Sequence, residues 1–204
     1  MCLEADARRI QDKVQKNLTF GIANGLTKTA QFAAQKMQQQ LPTIFNRPTP
    51  FTQRAIGFSP ASKSKLEARV FVRDIQAAYL MRQEQGGLRT PQPGSPINIA
   101  VGQRLNQFGN ISRGAIARQR AKPTVFASKC TGKTKHLPPG LYERPSKSAG
   151  KRRKAKGLKL LVAFERKANY QPRFRFVERV SKVAKASVKA NIAASIAEAM
   201  QTMR

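Results

Sequence analysis

The stretch "ASKCTGKT" at residues 127–134 has residue types and spacing that could bind a nucleotide. A small residue, four further residues and then Gly-Lys-Thr match the loosest form of the loop that binds nucleotide phosphates. A working loop of that kind leads directly into a helix, whereas Pro138 and Pro139 follow here and deny a helix its first turns. Such a site also needs a carboxylate, usually Asp, on a later strand to hold Mg²⁺, and no Asp occurs after Asp74. We therefore interpret the match as a chance one and expect no nucleotide site.

The titratable residues offer little for a metal site or for acid–base catalysis. His136 is the only histidine, Cys130 lies six residues before it and Cys2 is remote, so no four-ligand metal set can be assembled. A nucleophile–His–acid triad is equally unsupported, because only Glu143 is near in sequence. A metal-dependent nuclease needs clustered carboxylates, and the 10 Asp and Glu residues are scattered. The sequence therefore predicts a protein that is not an enzyme and that uses neither a metal nor a cofactor.

The strongest signal is positive charge. The 204 residues include 39 Lys and Arg against 10 Asp and Glu, a formal net charge of +29. Solubility alone needs a net charge of only about 2–8, so a merely solvated basic surface is the weaker interpretation. An excess of this size favours an anionic partner, either nucleic acid or an acidic protein surface. Known base-reading modules are lacking, so we expect any DNA contact to be independent of base sequence.

This charge is concentrated between Gln85 and Gly157, where 16 basic residues accompany a single acid, Glu143. Within that block, the run "KRRKAK" at 151–156 and the lysines in and around "ASKCTGKT" are placed to neutralise DNA phosphate or to meet an acidic partner. The candidate contact residues are Lys129, Lys133, Lys135, Lys147, Lys151, Arg152, Arg153, Lys154 and Lys156.

Two long helices are predicted towards the ends of the chain. Over residues 1–41 apolar residues recur at helical spacing until Pro42, although Gly21 and Gly25 would allow a break or bend. A second apolar stripe runs through 173–203, next to a basic face. The polar face of the first helix carries seven Gln, which suits solvent or another subunit. The candidate subunit-packing residues on the two stripes are Leu3, Ile10, Val14, Leu18, Ile22, Val188, Ile192 and Ile196.

Between these helices the pattern predicts a small antiparallel sheet over residues 65–166. "KLEARVFVRD" at 65–74 alternates apolar and polar residues, and "GLKLLVAFER" at 157–166 is the clearest apolar strand. "PINIAV", "TVFAS" and "GLYER" are shorter strand-like segments, whereas "AAYLMRQEQGGLR" is compatible with a strand or a helix. "GNISRGAIARQRA" predicts a short helix with Asn110 or Ser112 as its cap.

The remaining elements complete an α+β fold class. The basic, Gly- and Ser-containing segment at about 145–157 is predicted to be a mobile hairpin arm. Phe174 and Phe176, although interleaved with arginines that could make a stacking platform for single strands, are predicted instead to anchor the last helix to the sheet. We expect one domain over 1–204: a long N-terminal helix, a small antiparallel sheet with a long basic hairpin loop, and a long C-terminal helix.

The apolar segments and the two cysteines indicate in which cellular compartment the protein is expected. The N-terminal "MCLEADARRIQDKVQ" lacks the apolar core of a signal peptide. No apolar run approaches the ~18 residues that a membrane span needs, so no membrane contact is expected. Cys2 and Cys130 are expected to be reduced thiols. Together these features predict a cytoplasmic environment.

Several separated stretches, in this order, resemble one protein family. They are "FNRPTPFTQRAI" (45–56), "KLEARVFVRD" (65–74), "YLMRQEQGGLR" (79–89), "LNQFGNISRGAI" (105–116), "GLYER" (140–144) and "LKLLVAFERKANYQPRFRFVERV" (158–180). This set is similar to the minor tail protein Z, or tail-completion, proteins of tailed bacteriophages. The "RPTPFT", "QEQGG" and "FGNISRGAI" pieces carry most of the resemblance.

The resemblance implies a structural, non-enzymatic protein of the phage head–tail connection. It implies a homo-oligomeric ring, sixfold as in the family, around the DNA channel, with neck and tail proteins such as the tail terminator and head-completion proteins as partners. The implied location is the virion, after assembly in the host cytoplasm. The basic loading around 147–156 is heavier than the family pattern. A free-standing, sequence-independent nucleic-acid-binding protein is the alternative that the charge leaves open.

Overall fold

A computed structural model describes residues 2–91, 95–145 and 157–202, with side chains from residue 6 onward. The helices are α1 (Cys2–Ile44), α2 (Pro50–Gln53), α3 (Asp74–Gln85), α4 (Ala115–Arg120) and α5 (Phe176–Gln201). The strands are β1 (Ile56–Ser59), β2 (Arg69–Val72), β3 (Gly87–Arg89), β4 (Ile97–Ala100), β5 (Val125–Ser128), β6 (Gly140–Glu143), β7 (Lys159–Glu165) and β8 (Ala168–Tyr170). The predicted α+β class, with a long helix before and after small antiparallel sheets, is confirmed.

The chain divides into two compact units. Unit 1 comprises Met1–Gln85 and Pro172–Arg204, and unit 2 comprises Gly86–Gln171. The ambiguous segment before Gly86 is a helix, α3, and the chain then enters β3. Among the described residues no helix is both long enough and apolar enough to cross a membrane.

The first helix is longer than predicted and runs unbroken through both glycines. It ends at Ile44 instead of residue 41, because the Phe45 amide donates to the Leu41 carbonyl at 2.9 Å and closes one more turn past Pro42. A Cβ added at Gly21 would lie 2.8 Å from the Ile196 Cα of α5. These glycines therefore serve close helix packing and do not break the helix.

Unit 1 has an apolar core where α1, α3, α5 and the β1–β2 pair meet. Its buried members are Ala34, Met37, Leu41, Ala55, Ile56, Leu80 and Phe174. The Phe174 ring lies 5.8 Å from that of Phe45 and 5.5 Å from that of Phe176, centroid to centroid. Phe174 and Phe176 were predicted to anchor the last helix to the sheet, and they pack instead at the start of α5 against this largely helical core, in which the only sheet partners among the described residues are from the β1–β2 pair.

The start of α5 is held by α3. The Phe176 amide donates to Glu84 Oε2 at 2.6 Å, so a carboxylate from another helix satisfies one of the free N–H groups of the first turn. The Arg173 amide donates to the Gln83 carbonyl at 2.8 Å. Because Arg175 has φ 43° and precedes the helix, α5 begins at Phe176 and not at the predicted residue 173.

Unit 2 contains the main sheet, in the order β4-β7-β6-β5 with every neighbouring pair antiparallel. A separate two-stranded ladder joins β3 and β8. The core of the main sheet is small, with Val125, Leu141, Leu161 and Val162 buried and Ile111, Ile116 and Phe164 packed against them. The prediction for the α4 cap was wrong: Gly114, in the left-handed region at φ 73°, precedes α4, and no side chain caps it.

The prediction of the basic arm at about 145–157 falls mostly outside the described residues. Its two flanking strands are described: β6 and β7 pair antiparallel, with Glu143 opposite Lys159. The predicted strand at 65–74 is shorter in the structure, where β2 covers Arg69–Val72 and pairs with β1.

Candidate nucleic-acid interface

The two units differ in how many of their described basic residues form ion pairs with acids. The sequence of unit 2 carries 19 Lys and Arg with only Glu143 and Glu165 as acids. Four ion pairs occur among the described residues, all in unit 1: Lys28–Glu198, Lys65–Glu67, Arg69–Glu67 and Arg175–Glu178. Within the described part of unit 2, no Lys or Arg forms such a pair. Among its described residues, the positive charge of unit 2 is therefore not balanced by ion pairs.

The strand order brings two distant parts of the chain to one edge of the main sheet. Since β5 and β7 both run antiparallel to β6, they run in the same direction and end at the same edge. Gly140, at the start of β6, is the Cα partner of both Ser128 in β5 and Ala163 in β7. Lys129 follows β5 directly, and Arg166 follows β7 directly. Two cations are thus placed at one sheet edge.

Gly140 is required at the centre of that edge. A Cβ there would lie 2.7 Å from the Val162 carbonyl oxygen and 2.8 Å from Leu160 Cδ1. The neighbouring ladder is irregular, with a register shift between Leu141 and Tyr142. The Phe164 amide donates to the Pro139 carbonyl at 3.0 Å, which holds the residue before β6 against β7. The edge is therefore a tightly built part of unit 2.

The loop after β5 is closed around one buried side chain, Ser128. Its hydroxyl donates to the Leu137 carbonyl at 3.1 Å and accepts from the Cys130 amide at 3.2 Å. Cys130 takes the left-handed region at φ 61°, which turns the chain back. Ser128 is fully buried, so this bonding is protected from water. The loop presents the predicted contact residues Lys129, Lys133 and Lys135, all exposed.

The phosphate-loop-like spacing does not lead into a helix. Gly132–Thr134 form a single 3₁₀ turn, and the chain then passes through Pro138 and Pro139 into β6. The Thr134 hydroxyl donates to the Thr131 carbonyl at 3.0 Å, so it is engaged within the loop. Among the described residues no group of three or more His, Cys, Asp or Glu is placed to hold a metal ion.

A cleft of about 560 Å³ opens beside this edge. Three cationic side chains line it, Arg120 from the end of α4 together with Lys129 and Arg166. Its apolar lining includes Pro96, Pro139 and Phe164. The Arg120 guanidinium lies 5.8 Å from the centroid of the Phe164 ring, close enough for a cation–π interaction. This cleft offers positive charge on a partly apolar, concave surface.

A second arginine is held in a similar way where the chain leaves β6. The Arg144 guanidinium lies 5.1 Å from the centroid of the Phe126 ring. Phe126 stacks on Tyr142 with centroids 5.8 Å apart, and the Tyr142 hydroxyl donates to the Pro138 carbonyl at 3.1 Å. Arg144 is thereby oriented next to the segment predicted as the basic arm.

The predicted contact residues divide into two groups. Lys129, Lys133 and Lys135 lie on one closed loop. The other predicted contacts, Lys147, Lys151, Arg152, Arg153, Lys154 and Lys156, lie outside the described residues.

Sequence reasoning missed Arg120 and Arg166. The position of Arg166 directly after the clearest apolar strand could have indicated a site residue. Arg120 lies at the end of a short helix, and nothing else in the sequence distinguishes it. Their shared cleft depends on the strand order, which local patterns do not give.

The predicted subunit-packing residues occupy mixed environments. Ile22, Ile192 and Ile196 are half-buried, and the backbone of Ile192 and Ile196 faces the two glycines of α1. Val14, Leu18 and Val188 are also half-buried, whereas Ile10 is exposed. The side chain of Leu3 lies outside the described ones. Contact of these residues with another subunit stays a prediction.

Comparison with protein-family models, with curated proteins and with solved structures finds no match for this chain.

Proposed function

We propose that this chain is a structural virion protein of the head–tail connection of a tailed bacteriophage. In this proposal it assembles as a homo-oligomeric ring, sixfold by the resemblance, around the DNA channel and joins the tail to the head. Its partners are other neck and tail proteins, such as the tail terminator and head-completion proteins. Unit 2 contacts the channel DNA through phosphate, without reading base sequence.

The observation that carries the DNA contact is the uncompensated charge of unit 2. Its 19 basic residues accompany two acids, and no ion pair forms among its described residues. Net charge of this size destabilises a compact unit by self-repulsion unless an anion lies nearby. Lys129, Arg120 and Arg166 converge on one cleft, which supports a phosphate partner over simple solvation.

Unit 1 supports the structural part of the proposal. Its two long helices pack with their backbones close together, which suits a rigid element in an assembly. Several large apolar side chains of α1 stay exposed, namely Ile10, Phe20 and Phe32. Exposed apolar surface on a long helix is a feature of protein–protein contact.

Mass spectrometry of purified phage particles tests the virion assignment. We expect the chain to co-purify with particles on a density gradient at a constant ratio to the major capsid protein. A phage lacking the gene should yield filled heads and finished tails that are not joined, and the wild-type gene supplied in trans should restore joined particles. Absence from particles, with the chain bound to nucleic acid in the lysate, would instead support the free-standing nucleic-acid-binding protein.

A further inference from the structure

We propose that the cleft lined by Arg120, Lys129 and Arg166 is a binding site for the phosphodiester backbone of DNA. This inference deepens the DNA contact of the proposed function and rests on it for the identity of the polyanion. It differs from the basic run 151–156, because the three cleft cations come from three separate elements that the fold brings together.

The chemistry of the cleft suits phosphate. Two guanidinium groups and one ammonium group supply hydrogen-bond donors, and guanidinium forks match phosphate oxygens in pairs. The cleft contains no carboxylate among its lining residues, so nothing in it competes for these cations. Its floor of Pro139 and Phe164 excludes water from one side, which strengthens the attraction of the cations for an anion.

Packing within unit 2 positions one cation side chain and the backbone that carries a second. Arg120 rests on the Phe164 ring, and Phe164 is tied through its amide to Pro139. Lys129 follows Ser128, whose buried hydroxyl closes the loop. For Arg120, the contact with the ring reduces the side-chain entropy that binding would otherwise remove. The volume of about 560 Å³ lies within the range of about 300–1,000 Å³ of sites that hold small ligands, so one backbone segment fits and a whole duplex does not.

The cleft carries no means of reading bases. Besides the three cations, the polar side chains among its described lining residues are the hydroxyls of Thr90 and Ser128, and the latter is already bonded within its loop. Bidentate base recognition in the major groove relies mainly on a helix or strand entering that groove. The site is therefore expected to hold phosphate in any sequence context.

The test compares two triple variants of the purified full-length chain on mixed-sequence duplex DNA over a range of salt. The cleft variant is R120Q/K129Q/R166Q, and the matched control, R104Q/R113Q/K122Q, removes the same charge from exposed residues of unit 2 outside the cleft. Removing one cation that neutralises a phosphate reduces the slope of log affinity against log salt by about 0.9. We expect the slope to fall by about 2 to 3 in the cleft variant and by less than 1 in the control. Equal reductions would show diffuse attraction and would overturn the cleft.

A second variant keeps the charge and guards against misfolding of the first. R120K/R166K preserves the net charge but removes both guanidinium forks, so we expect weaker DNA binding by about threefold or more with an unchanged salt slope. Unchanged affinity in this variant would overturn the proposal. Polyglutamate serves as the acidic-protein probe: a larger loss of polyglutamate binding than of DNA binding in the cleft variant would assign the cleft to an acidic partner and overturn the proposal. Since these measurements use the isolated chain, their failure leaves the virion test unaffected, and the reverse also holds.

Discussion

Unit 1 and unit 2 differ in what their residues are used for. In unit 1, Gly21 and Gly25 let α1 approach the backbone of α5, and four ion pairs balance part of its charge. In unit 2, short strands surround a smaller core, and the basic residues have no acidic partners within the described part. The contrast teaches that most acids of this chain accompany the closely packed helices of unit 1, whereas unit 2 has only Glu143 and Glu165. Net charge of this size opposes a compact fold by self-repulsion, so the proposed DNA partner should stabilise unit 2 more than unit 1.

The largest effect should come from the core of unit 1. Phe174→Ala removes a buried ring that packs between two other phenylalanines, so we expect a loss of about 4 kcal/mol in the free energy of unfolding. Denaturant unfolding followed by circular dichroism measures this loss. Val177→Ala, at a residue of the same helix with 66% exposure, is the control and should change stability by less than about 0.5 kcal/mol. A small effect of Phe174→Ala would mean that unit 1 does not depend on this core.

The next effect tests the close approach of the helices. A Cβ at Gly25 would lie 2.5 Å from the Ile192 Cα and 2.9 Å from the Asn191 carbonyl oxygen, so backbone must move. We expect Gly25→Ala to lower stability by about 3 kcal/mol, although alanine is the better helix former. Gly157→Ala, where an added Cβ meets nothing within 4 Å, should be close to neutral. Equal effects of the two substitutions would contradict the packing role of Gly25.

DNA should stabilise unit 2 more than unit 1. At a duplex concentration about a hundredfold above Kd, binding adds about 2.7 kcal/mol to the stability of the unit that binds. Hydrogen exchange reports this as slower exchange at the amides of Leu141 and Val162, with smaller changes at the α1 amides around Ala33. Slower exchange in α1 alone would reverse the assignment of the DNA contact to unit 2.

The smallest effect concerns the exposed charges of unit 1. Hydrogen bonds from Arg69 and then Lys65 lower the pKa of Glu67 from 4.5 to about 2. Because the folded pKa is lowered, this group stabilises the fold above about pH 4.5 and loses that contribution as the pH falls towards about 2. The carboxyl resonance of Glu67 should titrate near pH 2, and in an Arg69→Gln, Lys65→Gln variant its midpoint should return towards 4.5. An unchanged midpoint in that variant would remove the ion-pair explanation.

Local periodicity was enough for part of this structure. The apolar stripes predicted both long helices, alternation predicted β2 and an apolar run predicted β7, because these patterns follow from the geometry of single elements. The role of Gly21 and Gly25 could not be predicted, since it depends on a partner helix more than 150 positions away in the chain. The end of α1 was misplaced because a single proline in a last turn removes only one hydrogen bond.

The candidate site was only partly accessible to sequence reasoning. Lys129, Lys133 and Lys135 were found because they share one short loop in an acid-poor block. Arg120 and Arg166 join Lys129 only through the order β4-β7-β6-β5, in which β5 and β7 flank β6. Such an order is fixed by packing of the whole unit and not by any local pattern.

The central claim is that this chain is part of the phage particle and that unit 2 is the part that meets DNA. Ultraviolet cross-linking of purified particles, followed by mass spectrometry of nucleotide-bearing peptides, tests both halves together. We predict cross-linked peptides of this chain that come from Gly86–Gln171 and include the segment around Lys129. Cross-links confined to Met1–Gln85 and Pro172–Arg204, or particles without the chain, would contradict the account.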